Sequence, residues 1–327
     1  MARIACVMCA VAAALCATAA AVEQGEPPVR PLEQASAHIR VACVQMNIPP
    51  AWAEENDVLD AYRPHIERAG REDVDLLVFP EYLLGNFKVP DRRTDGLCAL
   101  ARTHNVNIVA GGWEFLGEHP ITAPPEPGTF ANSALVISRE GKVAGRHHKM
   151  YAAVAPESPY FWPPKPGERG ENIMVPGDGS PIVNLDFGRV AVLTCYDGYF
   201  FPSFEVPALK GAEVLVWING RGGAVEDFIV RAASFMTCTH IVTSNMSVGA
   251  GTMICAYPGN IKAWAEEPGD AYITAELNLE FLRTQRKNDR MFHQRRPELN
   301  SDLGKAWAPW DAYPQMPFFS YDGAGGQ

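Results

Sequence analysis

The stretch Val190-Ala191-Val192-Leu193-Thr194-Cys195-Tyr196-Asp197-Gly198 runs from an apolar, β-branched segment straight into a cysteine and turn formers. It predicts a strand over Val190 to Thr194 with Cys195 just past its C-terminal end. Downstream, a helical segment from about Ser203 to Lys210, a strand at Val214 to Ile218, a helix over Glu226 to Cys238 and a strand at Ile241 to Asn245 follow, with short strands on to Leu277. Just upstream, Ile182 to Leu185 reads as a strand. Nearer the N-terminus, Ile39 to Gln45 reads as a buried strand, and Val74 to Phe79 as a strand stopped by Pro80. Between them Ala53 to Ala69 has helical spacing through Val58, Ala61, Tyr62, His65 and Ile66, weakened by Pro64. A helix near Asp91 to His104, a strand at Val106 to Ala110 and a hairpin of Ser133 to Arg139 with Lys142 to His148 complete the pattern. Strands alternate with helices and no repeat is visible, which predicts an α/β layered domain.

Three reactive side chains fall at equivalent places in this scheme. Glu81, Lys149 and Cys195 each stand just past the C-terminal end of a predicted strand, where rigid strands fix the backbone and loops supply chemical groups. A thiol attacks a carbonyl or nitrile carbon only if something takes its proton, and a buried carboxylate can. The charge that develops on the attacked group needs a fixed cation or donor, a role suited to Lys149 and to the backbone N–H of Tyr196. Singly, each residue reads as a core thiol, a solvated carboxylate or a surface lysine.

Together, the flanking residues are more specific. Val78-Phe79-Pro80-Glu81-Tyr82, Gly145-Arg146-His147-His148-Lys149 and Val192 to Gly198 resemble, in order and spacing, the three signatures of the nitrilase or carbon–nitrogen hydrolase superfamily. The resemblance continues through Lys210 to Val216, Ala232 to Asn245 and Arg295 to Leu299, and so spans about residues 38–299. It implies a four-layer α-β-β-α sandwich and association into a homodimer or larger assembly; no cofactor or metal is expected. It also implies a division of labour, with Glu81 as general base and acid, Lys149 stabilising the tetrahedral intermediate and Cys195 forming the covalent adduct. Glu157, a short way beyond the lysine in Ala155-Pro156-Glu157-Ser158-Pro159, matches the family's second glutamate by spacing.

Tyr196-Asp197-Gly198 after the cysteine, and Phe79-Pro80-Glu81-Tyr82 before it, look closer to amidases and N-carbamoyl hydrolases than to nitrilases. A nitrilase, an acyltransferase using the same thioester and a non-catalytic binding protein are the alternatives. One departure is Phe200-Phe201-Pro202-Ser203, where many relatives place a carboxylate directly after the proline. Tyr82, Asn219 and Arg221 are the candidate pocket residues. Within Asn219-Gly220-Arg221-Gly222-Gly223 the glycines let backbone approach a ligand, and an inward Arg221 would grip a carboxylate, implying an acid amide or carbamoyl amino acid. An exposed loop is the other reading. His147 and His148 are neighbours on a strand and point to opposite faces, so both cannot easily bind one metal.

With 47% hydrophobic residues the chain can build a substantial core, and a net charge of −10 argues against nucleic acid or an anionic membrane as partner. Residues 1–21 carry Arg3, an uncharged run and small residues at Ala17 to Ala21, the pattern of a cleaved signal peptide, with a retained anchor as the alternative. This predicts a secreted or periplasmic protein. Residues 22–37 read as a flexible leader and 300–327 as an irregular tail. Cys6, Cys9 and Cys16 leave with the signal, so Cys43, Cys98, Cys195, Cys238 and Cys255 remain. Their wide spacings give no zinc pattern, and apart from Cys195 they read as buried thiols; the spacings assign no disulfide.

Overall fold

The computed structural model describes residues 36–49, 53, 56–122, 126–153 and 174–304. The signal segment, all but the end of the leader, Glu157 and the tail beyond residue 304 lie outside the described residues. In the first sheet β1 (His38–Gln45), β2 (Leu76–Val78) and β4 (Asn107–Phe115) run parallel, and β3 (Asn86–Phe87) adds to β4. Beyond β4 come antiparallel β5 (Phe130–Ser138) and β6 (Lys142–His148), the hairpin expected from the sequence. The second sheet holds β7 (Val183–Asn184), β8 (Arg189–Thr194), β9 (Val214–Ile218), β10 (His240–Ser244), β11 (Thr252–Ala256) and β12 (Asn260–Ala265) side by side in chain order. Its centre, β8 to β10, is parallel. The chain then returns to the first sheet, where β13 (Ala271–Asn278) pairs antiparallel with β1.

Side-chain alternation explains why two sheets stack. Along β8, Val190 and Val192 enter the core between the sheets while Ala191 and Leu193 turn to the other face, and β9 repeats this with Val214, Val216 and Ile218 against Leu215 and Trp217. The outer face of the second sheet is covered by α3 (Pro202–Leu209) and α4 (Asp227–Thr237) through Phe204, Val230 and Ala233. On the first sheet, α1 (Val58–Arg71) and α2 (Arg92–His104) bring Tyr62, Ile66 and Leu97 onto Leu77, Phe79, Ile108 and Leu135. The result is the four-layer α-β-β-α sandwich implied by the resemblance.

Local departures from the sequence pattern have identifiable causes. α1 starts at Val58, where the Asp57 side chain accepts the Leu59 N–H at 3.1 Å, and it continues past Pro64 because Tyr62, Ile66 and Ala69 are buried on one face. β4 runs on through Gly111-Gly112 to Phe115. A Cβ on Gly111 would stand 2.7 Å from Ile218 and 3.3 Å from the Glu81 Cα, and one on Gly112 would stand 2.6 Å from the Gly85 carbonyl. The glycines let the segment after β2 and the neighbouring sheet press against β4. Among the described residues, Cys43, Cys98, Cys195, Cys238 and Cys255 form no disulfide. Among the described residues no helix is long and apolar enough to cross a membrane.

The two sheets are stitched where β1 and β2 meet β9 and β10. Ser244 Oγ donates to the Val44 carbonyl at 2.6 Å, and the Glu81 N–H donates to the Asn219 carbonyl at 3.2 Å. The C-terminal ends of β2, β8 and β9 therefore share one rim of the sandwich. Loops leaving that rim carry the candidate residues.

Candidate active site

Glu81 and Lys149 are fully buried, and Lys149 Nζ donates to Glu81 Oε1 at 3.1 Å. Taking both charges out of water is costly unless their geometry and further hydrogen bonds compensate. Asn132, on the inter-sheet face of β5, supplies that support from both ends. Its Nδ2 donates to Glu81 Oε1 at 2.7 Å, and its carbonyl accepts the Lys149 N–H at 2.8 Å. Sequence reading missed Asn132, although a lone amide in the apolar run Phe130 to Ile137 is a signal of a polar group with an assigned partner.

Cys195 opens a 3₁₀ turn, Cys195–Tyr199, directly after β8. Its φ of +45° is in the left-handed region that side chains other than glycine's rarely adopt, a strain held by the surroundings. Trp217 Nε1 donates to the Cys195 carbonyl at 2.8 Å, and Gly198 leaves room for the indole, which would lie 2.2 Å from any Cβ there. Tyr196 follows with its ring partly exposed against Tyr199 and Phe200, and its N–H is the first amide beyond the thiol.

Asp197 ties this turn to the segment that carries Lys149. It is fully buried; Oδ1 accepts the N–H groups of Met150 (3.0 Å) and Tyr151 (2.9 Å), and Oδ2 accepts the Thr194 N–H (3.0 Å) and His147 Nε2 (2.9 Å). One carboxylate thus fixes the residues on either side of Cys195 and of Lys149. His148 turns to the other face of β6, where it and Arg146 donate to buried Glu114, so the two histidines diverge as strand geometry requires.

The remaining pocket candidates lie close to this pair. Tyr82, at φ +67°, stacks on Trp113 with centroids 5.1 Å apart, and Lys149 Nζ stands 5.9 Å from its ring centre. Gly220 abuts both: a Cβ there would be 2.5 Å from the Tyr82 ring and 3.1 Å from Glu81 Oε2. Because Thr194 pairs with Ile218, the turn at Cys195 and the exit at Asn219 leave the sheet side by side. Asn219 is buried, with its carbonyl on Glu81 and its Nδ2 on the Trp217 carbonyl at 2.8 Å, so it braces the site from behind.

Arg221 is not the exposed loop residue of the alternative reading. Its Nη1 donates to Glu226 Oε2 at 2.8 Å, to Oε1 at 3.1 Å, and to the Tyr199 hydroxyl, which itself donates to Glu226 at 2.6 Å. The guanidinium lies over the rings of Trp217 and Tyr199 at 5.1 and 5.4 Å. Burial alone would raise the Glu226 pKa, but the Tyr199 hydrogen bond and the Arg221 charge outweigh it and hold Glu226 below its ordinary value. Tyr199 is pushed up to about 12, first by burial and then by Glu226, with a contribution from the nearby Cys195. Sequence reading assigned neither Tyr199 nor Glu226 a part.

A thiol on a strained turn, a buried carboxylate–ammonium pair and an amide support form a set suited to covalent attack on an electrophilic carbon. A model of the carbon–nitrogen hydrolase family matches residues 40–287, and the chain belongs to that family. Among its relatives, a nitrilase from Pyrococcus abyssi is 26% identical over 287 residues, covering 80% of this chain and 98% of that protein. A formamidase from Allorhizobium ampelinum is 28% identical over 242 residues, 67% of this chain and 64% of the other. The crystal structure of a carbon–nitrogen hydrolase from Helicobacter pylori superposes with a TM-score of 0.65 at 19% identity, covering 83% of this chain and 99% of the other, a likeness of fold.

Proposed function

We propose that this carbon–nitrogen hydrolase cleaves an amide or N-carbamoyl substrate through a thioester on Cys195. The observation that carries the reading is the buried Glu81–Lys149 pair, braced by Asn132 on the rim where the strand before Cys195 ends. Glu81 takes the Cys195 proton as sulfur attacks the carbonyl carbon, while Lys149 and the Tyr196 N–H stabilise the oxyanion. The same carboxyl then protonates the leaving nitrogen, which departs as ammonia or an amine and leaves the thioester. Water gives a proton to Glu81, attacks the thioester and frees the acid as the thiol is regenerated. Glu157 is assigned the orientation of Lys149 by its spacing alone. The Tyr196-Asp197-Gly198 sequence after the nucleophile favours amides over nitriles.

Intact-mass spectrometry of the protein incubated with a panel of amides, N-carbamoyl amino acids and nitriles should reveal an acyl adduct on Cys195 with an amide-type compound. An adduct formed only from nitriles would replace the amide assignment with a nitrilase one. Transfer of the acyl group to an added amine, with no free acid, would replace hydrolysis with acyl transfer.

Export and assembly complete the proposal. The pattern at Arg3 to Ala21 favours signal cleavage and an extracytoplasmic location, so protein from its native host should begin between Ala20 and Glu23; recovery of intact Met1 in soluble cytoplasm would end this reading. The outer helices α3 and α4 leave Val206, Leu209, Phe228, Phe235 and Met236 exposed, which supports a two-fold contact with a second copy. Light scattering at micromolar concentration should return at least twice the chain mass, and a monomer would rule the contact out.

A further inference from the structure

Arg221 uses only one side of its guanidinium. Nη1 serves Glu226 and Tyr199, whereas Nε and Nη2 are buried and meet no hydrogen-bond partner among the described residues. Nε and Nη2 form the edge that presents two parallel N–H bonds, the fork that matches the two oxygens of a carboxylate. Buried donors on a charged group are costly to leave unmet, and a ligand that meets them recovers that cost on binding.

The edge is rigid and close to the chemistry. Glu226 and the faces of Trp217 and Tyr199 hold the guanidinium, and the Arg221 N–H is pinned to Asn245 Oδ1 at 2.9 Å. Trp217 is bonded to the Cys195 carbonyl, Tyr199 ends the 3₁₀ turn that Cys195 opens, and Gly220 abuts Tyr82 and Glu81. Glu226 occupies the far side of the guanidinium, which therefore stands between it and any anion on the unpaired Nε/Nη2 edge. Glu226 and Glu81 already offset Arg221 and Lys149, so what selects an arriving carboxylate is the two aimed donors and not a surplus of positive charge.

We infer that the Nε/Nη2 edge of Arg221 is a carboxylate subsite, and that the scissile amide belongs to a molecule that also carries a carboxylate. This rests on the carbon–nitrogen hydrolase reading above. The test compares kcat/KM for the monoamides of succinic and glutaric acid with that for butyramide and valeramide, their uncharged counterparts. The carboxylated amides should be favoured by about 100-fold, as expected for a buried fork left unmet by the neutral compound. The readout is this ratio within each variant, which does not depend on the folded fraction. It should fall to near unity in Arg221→Met, chiefly through KM, and be partly recovered in Arg221→Lys. A ratio near unity in the wild type, or one that Arg221→Met leaves unchanged, would overturn the subsite while leaving the hydrolase reading in place. Calorimetry with the same monoamides on Cys195→Ala, with and without Arg221→Met, separates the two ideas. Binding that needs Arg221, in a protein that turns over no amide, would keep the subsite and sink the hydrolase. Absence of both binding and turnover would sink both.

Discussion

Cys195→Ala, Glu81→Gln and Lys149→Ala should each lower kcat/KM by on the order of 10⁴-fold or more, and the triple variant should be little worse than the worst single, because groups that act as one unit lose their contribution together. Cys195→Ala removes the only atom that can carry the acyl group in the proposed reaction, with little change in shape. Glu81→Gln keeps a hydrogen-bond acceptor for Lys149 and Asn132 but cannot take a proton. Each of Glu81→Gln and Lys149→Ala removes the counter-charge of a buried ion and should also cost about 3–5 kcal/mol of stability. The double variant Glu81→Gln/Lys149→Met, with no stranded charge, should melt above Lys149→Ala while remaining as inactive. Steady-state kinetics on a substrate that acylates Cys195, with thermal melts of each variant, checks both halves. Retention of a tenth of the wild-type rate in Cys195→Ala would remove the nucleophile assignment and the mechanism built on it.

How much of this was legible in the sequence depended on whether a feature is local. The β8–α3–β9–α4–β10 run could be read because its apolar periodicity is set residue by residue, and so could the strand-end placement of Glu81, Lys149 and Cys195. α5 (Leu279–Asn288) could not, because half of its contact face is built from arginines. Only Leu279 and Leu282 are buried apolar residues, whereas Arg283 donates to Glu213, and Arg286 donates to the carbonyls of Cys238 and Ala212. A hydrophobic pattern is blind to such a face. The extension of β4 was hidden by Gly111-Gly112, whose value lies in side chains they do not have. The braces of the site were hidden for another reason. Asn132 meets Glu81 across 51 residues of chain and Asp197 meets His147 across 50, so neither pairing leaves a local trace. Arg221 was visible as a candidate grip, but that its Nη1 is occupied by Glu226 and Tyr199, while Nε and Nη2 are buried and unpaired among the described residues, is a property of the folded geometry alone.

Asp197 gives the second large effect, and it acts through position. In Asp197→Ala the N–H groups of Thr194, Met150 and Tyr151 and the ring of His147 lose their acceptor, and buried unmet donors at about 1–3 kcal/mol each should destabilise the fold severely. Asp197→Asn is the informative variant, since its carbonyl oxygen can still accept from Met150 and Tyr151. Its NH₂ then faces the Thr194 N–H, donor against donor, while His147 can accept from it by moving its proton to Nδ1, at the cost of a buried N–H that meets no partner among the described residues. The strain should therefore fall on the residue just before Cys195, releasing the turn that holds its φ at +45°. We expect Asp197→Asn to reduce kcat about 100-fold with a much smaller change in KM, as sub-ångström misplacement of a reacting atom does. Alkylation of Cys195 by iodoacetamide should change rate in parallel, reporting the altered thiol without reference to any substrate. A merely structural Asp197 would lower the melting temperature of the Asn variant and leave both kcat and the alkylation rate of the folded protein at wild-type values.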